Sequence, residues 1–246
     1  MIFNMPSDSG GAFSWVRDSL RHRGVAGSLH YYAREFRDLL VDLTPERRKS
    51  RYGDIDFDFQ HNVDTTWATV SLHTRLREWL SGGQYQPTEP AIFRQMLDAI
   101  PVALEGFTFI DLGSGKGRTL LMASDYPFRR IVGVELLVEL NAVARQNIQR
   151  YRNDRQKCFA VESYCGDARH FHFTNEPTVL YLFNPFPRHI WHELLANLKR
   201  SLLAASRQVY VIYHNPVHAD ILASENWLQE VGRTDQFVLY EARIAN

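Results

Sequence analysis

The 246-residue sequence has little cysteine, no surplus of charge of either sign and no long apolar run. Its two cysteines, Cys158 and Cys165, are too few for a disulfide framework and have no second pair at zinc-binding spacing, so reduced thiols are expected. Lys plus Arg and Asp plus Glu number 28 each, which leaves no net field to attract nucleic acid or an anionic membrane surface. No stretch approaches the about 20 uninterrupted apolar residues that a membrane-spanning helix needs. Residues 1–11 lack the basic start and apolar core of a secretory leader. The expectation is a cytoplasmic chain with no membrane partner, and nucleic acid is disfavoured. Internal repeats and low-complexity tracts are also missing.

What is present is enough to fold. Hydrophobic residues make up 45% of the chain, which excludes a disordered composition, and the length suits one α/β domain with an extension. In residues 14–43, Trp15, Val16, Leu20, Leu29, Tyr32, Phe36, Leu39 and Leu40 recur at spacings of three and four among charges, predicting amphipathic helices. Residues 44–50 read as a turn or linker. The run Asp54-Ile55-Asp56-Phe57-Asp58-Phe59 alternates as an exposed edge strand would, and residues 62–66 read as a polar loop. The alternate aspartates lack the glycine and terminal glutamate of an EF-hand loop, so no metal is expected there. Residues 1–84 are assigned to a helical N-terminal extension or cap, and residues 85–246 to the main domain.

In that domain Thr88 is a predicted helix N-cap, with Pro90 in the first turn and Ile92, Met96, Leu97 and Ile100 on one face. Strands are predicted at 107–112, 131–135, 160–164, 179–183, 208–213 and 236–242, with helices at 117–124 and 138–151. Such alternation predicts a mainly parallel sheet covered by helices on both faces.

The most informative segment is Asp111-Leu112-Gly113-Ser114-Gly115-Lys116-Gly117, where an apolar strand runs into a loop with three glycines and a helical pattern follows. Glycine is needed where a backbone turns sharply or approaches a ligand closely, yet dinucleotide-binding folds and plain tight turns share this spacing. Three features narrow the choice. Asp111 would repel a pyrophosphate but suits the cationic methionine end of S-adenosylmethionine. Lys116 is followed by Gly117 rather than Ser or Thr, which disagrees with a Walker phosphate loop. The strand at 131–135 ends in Glu135, about 20 residues beyond the loop, where an acid can accept from ribose hydroxyls.

Asp111, Gly113, Gly115, Gly117 and Glu135 together resemble the class I, seven-strand S-adenosylmethionine-dependent methyltransferases, whose first motif reads D-x-G-x-G-x-G. The match spans roughly residues 85 to 246. The resemblance implies a Rossmann-like seven-stranded sheet with an antiparallel final strand, S-adenosyl-L-methionine as cofactor and S-adenosyl-L-homocysteine as product. It places Asp111 and the loop, Ser114 included, near the methionine part and Glu135 on the ribose. Asp167 and Ala168, in Gly166-Asp167-Ala168, fall at the adenine amino group. Each residue also has a plain reading: glycines that only turn the chain, Glu135 as a helix cap, Asp167 closing a loop.

At the end of the fourth predicted strand, Asn184-Pro185-Phe186-Pro187 is similar to the N-P-P-Y element of enzymes that methylate amino groups, with its second proline displaced. The resemblance makes Asn184 a candidate for both catalysis and the cofactor pocket, and Pro185 and Phe186 candidates for substrate; the segment also reads as a strand terminator. His214 is a candidate general base, since an imidazole can take a proton near neutral pH, although His214-Asn215-Pro216 also reads as a turn. Tyr85 and Thr88, in Tyr85-Gln86-Pro87-Thr88, resemble an element that closes over the cofactor's methionine end. The implied reaction is methyl transfer to a nucleophile, with nitrogen, and a protein side chain such as lysine, favoured over a small-molecule amine or hydroxyl. A catalytically silent adenosyl-ligand binding protein and a nucleotide-dependent oxidoreductase are the competing classes, and the acceptor is not identified by the resemblance.

Overall fold

The computed structural model describes residues 55–66, 74, 86–183, 186 and 188–244. The helices expected within 14–43 and the linker at 44–50 lie outside the described residues. In chain order the elements are α1 (Ile55–His61), α2 (Pro90–Asp98), β1 (Thr108–Leu112), α3 (Arg118–Ala123), β2 (Arg130–Glu135), α4 (Val138–Arg150) and β3 (Val161–Cys165). There follow a 3-10 turn (Ala168–His170), β4 (Thr178–Phe183), α5 (Arg188–Ala204), β5 (Val209–His214), α6 (Ala219–Ala223), β6 (Leu228–Arg233) and β7 (Phe237–Ala242).

The strands form one seven-stranded sheet in the order β3-β2-β1-β4-β5-β7-β6. Neighbours from β3 to β5 pair in parallel, while β7 runs antiparallel to both β5 and β6. The expected reversed final strand is therefore present. Successive side chains of a strand face opposite sides, and every residue of β1 is buried, so both faces of the sheet must be covered. On one face Ile110, Leu112, Val132, Leu180, Leu182 and Val211 pack with Trp191, Leu194 and Leu198 of α5 and with Phe171 and Phe173 after the 3-10 turn. On the other, Phe109, Ile131, Val179, Tyr181 and Ile212 pack with Phe93, Met96 and Leu97 of α2 and Leu120 and Met122 of α3.

Sequence periodicity did not single out β6. Only Leu228 is buried in that edge strand, and its ladder with β7 is irregular between Glu230 and Gly232, so it carries no two-residue alternation. Two local expectations are corrected. Residues 55–61 form helix α1 rather than an edge strand. Phe57 and His61, four apart, share a helical face that lies on Tyr151, at ring separations of 6.5 and 5.0 Å. The third aspartate, Asp58, folds the chain back by accepting the Thr65 and Thr66 amides at 2.6 and 2.9 Å, and the polar loop expected at 62–66 follows. Thr88 is not the N-cap of α2; Glu89 holds that position without a side-chain cap, and Pro90 begins the helix. The Thr88 hydroxyl bonds Tyr181 instead. Both cysteines are free, Cys158 buried and Cys165 exposed. Among the described residues no helix is long and apolar enough to cross a membrane.

Candidate functional site

The parallel strands end together, with Glu135 beside Cys165 and Phe183 beside His214 in register. Loops leaving these carboxyl ends share one edge of the sheet, the place where open α/β sheets bind ligands. The loop after β1 has all three glycines at positive φ: Gly113 at 92°, Gly115 at 53° and Gly117 at 83°. Side chains resist that region, which accounts for the glycine spacing. The loop is stitched to the end of β2. Gly113 and Ser114 donate their amides to the Val134 carbonyl at 2.8 and 3.1 Å, and Gly115 donates to Glu135 Oε2 at 2.8 Å. Glu135 Oε1 accepts the Leu137 amide at 2.8 Å, so one carboxylate fixes both the loop and the entrance to α4.

Gly133 lies opposite Asp111 in the ladder. A Cβ there would come within 2.7 Å of Ser114 Oγ and 2.6 Å of Leu120, so this glycine makes room for the loop. Ser114 Oγ is buried and has no hydrogen-bond partner among the described residues.

Asp111 and Glu135 project to the same face, and among the described residues neither forms an ion pair. Asp111 accepts the Thr119 hydroxyl proton. Burial pushes its pKa up to about 7; the Thr119 bond opposes this and the neighbouring charge of Glu135 adds to it. Glu135 is raised by burial too, against the amide bonds from Leu137, Gly115 and Leu136. Two acids held this way resist ionisation until something cationic or proton-donating faces them.

The loop's own cations face elsewhere. Lys116 is buried, and its Nζ donates to Asp64 Oδ1 at 2.8 Å and the Thr66 carbonyl at 2.9 Å. Arg118, equally buried, donates from Nε to the Thr65 hydroxyl at 2.6 Å, pairs with Asp58 at 3.3 Å and lies 4.8 Å from the centre of the Phe57 ring. Asn147 of α4 joins the two segments. Its Oδ1 accepts the Asp64 amide at 2.9 Å, and its Nδ2 donates to the Asp64 and Lys116 carbonyls at 2.7 and 2.9 Å.

A buried chain of hydrogen bonds runs along the β4–β5 side. The Tyr181 hydroxyl sits between Thr88 Oγ1 at 2.7 Å and His214 Nδ1 at 2.8 Å. His214 stacks on Phe183, with ring centres 3.8 Å apart, and burial lowers its pKa to about 4. Its ring is neutral at pH 7. Burial raises Tyr181 well above the ordinary phenol range, and the charge of Asp111 adds to that.

Asp167 sits past the end of β3, as expected, and its carboxylate accepts from the Arg169 amide at 2.9 Å and the Arg169 guanidinium at 2.6 Å. Ala168 is buried beside Phe171. Phe186 packs edge-on against Trp191 at 6.0 Å, and its carbonyl accepts the Trp191 indole proton at 3.3 Å. Tyr85, Asn184 and Pro185 lie outside the described residues. The residues that sequence reasoning passed over are Gly133, Thr119, Tyr181, Asn147 and the contacts of residues 58–66 with Lys116 and Arg118. Gly133 had a legible signal, a lone glycine inside an apolar strand. Asn147 had none, being one polar residue among many on a helix.

No family model matches the chain, and no curated protein does. Solved structures similar to it include an RNA methyltransferase from Salinibacter ruber in complex with S-adenosyl-L-homocysteine, at 21% identity, 64% of this chain, 92% of that chain and a TM-score of 0.44. A TehB-like SAM-dependent methyltransferase from Corynebacterium glutamicum is 16% identical, over 70% of this chain and 95% of that one, with a TM-score of 0.44. TrmN from Thermus thermophilus is 14% identical over 63% of this chain, with a TM-score of 0.47, and the match spans 49% of its length. At such identities a likeness concerns the fold alone. The sheet itself, with seven strands, a reversed final strand and a glycine loop after β1, gives this chain a Rossmann-like, mainly parallel fold.

Proposed function

We propose that the chain is an S-adenosyl-L-methionine-dependent methyltransferase acting on a nucleophile, with nitrogen, and a protein side chain such as lysine, as the leading acceptor. The observation that supports it best is the pair of buried carboxylates, Asp111 and Glu135, held against a left-handed glycine loop with no paired cation among the described residues. A pyrophosphate would meet repulsion there. Lys116, which could have met a phosphate, is committed to Asp64 and Thr66. A ligand with hydroxyl donors and a cationic centre complements the same groups.

In this reading Glu135 takes the ribose hydroxyls, Asp111, Ser114 and the glycines line the methionine end, and Asp167 with Ala168 meets the adenine. Tyr85 and Thr88 close over the methionine end. The bound cofactor would supply an already activated sulfonium methyl, so the protein's work is positioning and proton removal. Asn184, with Pro185 and Phe186 after it, holds the acceptor nitrogen. His214 offers a neutral ring hydrogen-bonded into the sheet through Tyr181, which fixes its orientation beside the end of β4. A small-molecule amine or hydroxyl is the second acceptor class. Several similar solved structures are named for RNA or DNA, so nucleic acid belongs among the acceptors tried, although the charge balance by itself weighed against it.

The test is calorimetric titration with S-adenosyl-L-methionine, S-adenosyl-L-homocysteine and NADH. Micromolar binding of both adenosyl ligands, followed by labelled-methyl transfer to one acceptor class, is the expected result. Binding of NADH alone would overturn it, and adenosyl binding without turnover on any acceptor would favour a silent binding protein.

A further inference from the structure

Residues 58–66 are held to the glycine loop by an unusual concentration of buried polar contacts. Two cations separated by one glycine, Lys116 and Arg118, both leave the loop on its outer side, and each is 2% exposed. Among the described residues their hydrogen-bond partners are Asp58, Asp64, the Thr65 hydroxyl and the Thr66 carbonyl, all in this one segment. Burying two such cations is unfavourable unless a fixed set of acceptors meets them, so the segment and the loop stabilise each other only in register. Asn147 enforces that register. It is fully buried and contacts both backbones at once, accepting from Asp64 and donating to Asp64 and to Lys116. Asp58 completes the arrangement by fixing the amides of Thr65 and Thr66, which turns the segment toward the loop.

The other side of the same loop is its ligand side. The Gly115 amide and Glu135 meet there, one residue from Lys116. Three left-handed glycines make this a loop with large conformational freedom in isolation, and its shape is fixed by what it is tied to. The contacts of Lys116, Arg118 and Asn147 with residues 58–66 provide one set of ties, and the bonds to Val134 and Glu135 provide the other.

We propose that Lys116, Arg118 and Asn147 are positioning residues that use residues 58–66 as a strap to hold the loop in its binding shape, so that strap seating and adenosyl-ligand binding are coupled. This rests on the adenosyl-ligand reading of the site. Coupling of this kind is reciprocal: a seated strap tightens ligand binding, and bound ligand slows release of the strap.

The experiment uses the full chain and S-adenosyl-L-homocysteine as probe. Calorimetry compares wild type with Lys116→Met, Asp64→Asn and the double variant, and amide hydrogen exchange at Thr65 and Thr66 is followed with and without the probe. The expected result is roughly tenfold weaker binding for each single variant, within the usual range of coupling between sites, and no further loss in the double. In wild type the probe slows exchange at Thr65 and Thr66 beyond the general slowing that ligand binding gives to amides exchanging by global unfolding, a readout that needs no variant and that a merely structural contact would leave unmoved. Equal affinity in all four proteins, with exchange at Thr65 and Thr66 indifferent to the probe, overturns the strap while leaving the adenosyl reading intact. Failure of wild type to bind the probe overturns both.

Discussion

The two sides of the loop at 113–117 differ in how they treat charge. On the inner side, Asp111 and Glu135 are buried between strands, and the solvent they lost is replaced by a hydroxyl and three backbone amides, which leaves both carboxyls above their ordinary pKa. On the outer side, Lys116 and Arg118 are buried as deeply, but each meets a carboxylate from residues 58–66. One short loop thus keeps acids and bases apart. Pairing them with each other would have neutralised the inner side, whereas this separation leaves its carboxyls available to the proposed ligand.

The largest effect is expected from removing the inner side. Glu135→Ala deletes the acceptor of the Gly115 and Leu137 amides as well as the proposed ribose contact, and S-adenosyl-L-homocysteine affinity measured by calorimetry should fall roughly a hundredfold, consistent with lost bonds to a charged group. Unchanged affinity would remove Glu135 from the site.

Asp111→Asn tests the electrostatic half of the comparison. With a folded pKa of about 7 against 3.8, the native state holds more protons than the unfolded chain between those values, so this group's contribution to stability falls as pH rises from about 4 through 7. Asn keeps an acceptor for Thr119 and carries no charge. The variant should therefore gain a few kcal/mol over wild type at pH 8 in urea unfolding, at about 1.4 kcal/mol per pKa unit, and little at pH 4. The same group should release a proton when a cationic ligand arrives, so S-adenosyl-L-methionine should bind more tightly as pH rises through 7. A flat affinity profile would separate Asp111 from the ligand.

His214 has the opposite sign. Its pKa of about 4, against 6.5, means that the unfolded chain binds the extra proton, so its contribution is present above pH 6.5 and lost as pH falls toward 4. His214→Asn should remove that acid-side loss, leaving the Asp111 slope exposed between pH 4 and 6.5. A smaller change is expected for Asn184→Ala: turnover lower by roughly fivefold with S-adenosyl-L-homocysteine affinity unchanged, since one lost hydrogen bond is worth about 1 kcal/mol. Lost affinity would place Asn184 in the cofactor pocket. The smallest is Tyr181→Phe, which removes the hydroxyl between Thr88 and His214 and should lower stability by about 1 kcal/mol in urea unfolding.

Much of this inner side was legible in the sequence. Asp111, the three glycines and Glu135 are local signals, because strand ends and tight turns impose residue types at fixed spacing. The parallel core was legible for the same reason: β1, β2, β4 and β5 are buried along their length and read as apolar runs. The outer side was not. Asp54 to Phe59 alternates perfectly as a strand, and what makes residues 55–61 helical is contact with Tyr151 and Arg118, far along the chain. Thr88 illustrates the same limit. Its type and position suit a cap, but a buried tyrosine 93 residues away claims its hydroxyl.

The strap also constrains the order of assembly. Asp64 precedes Asn147 by 83 residues and Lys116 by 52, so during synthesis residues 58–66 emerge well before the groups that seat them. Contacts of such separation form late, after the intervening strands have closed the distance. The earliest-made described part of the site is therefore its last to settle, and slow steps in refolding should report on Asn147 rather than on the sheet.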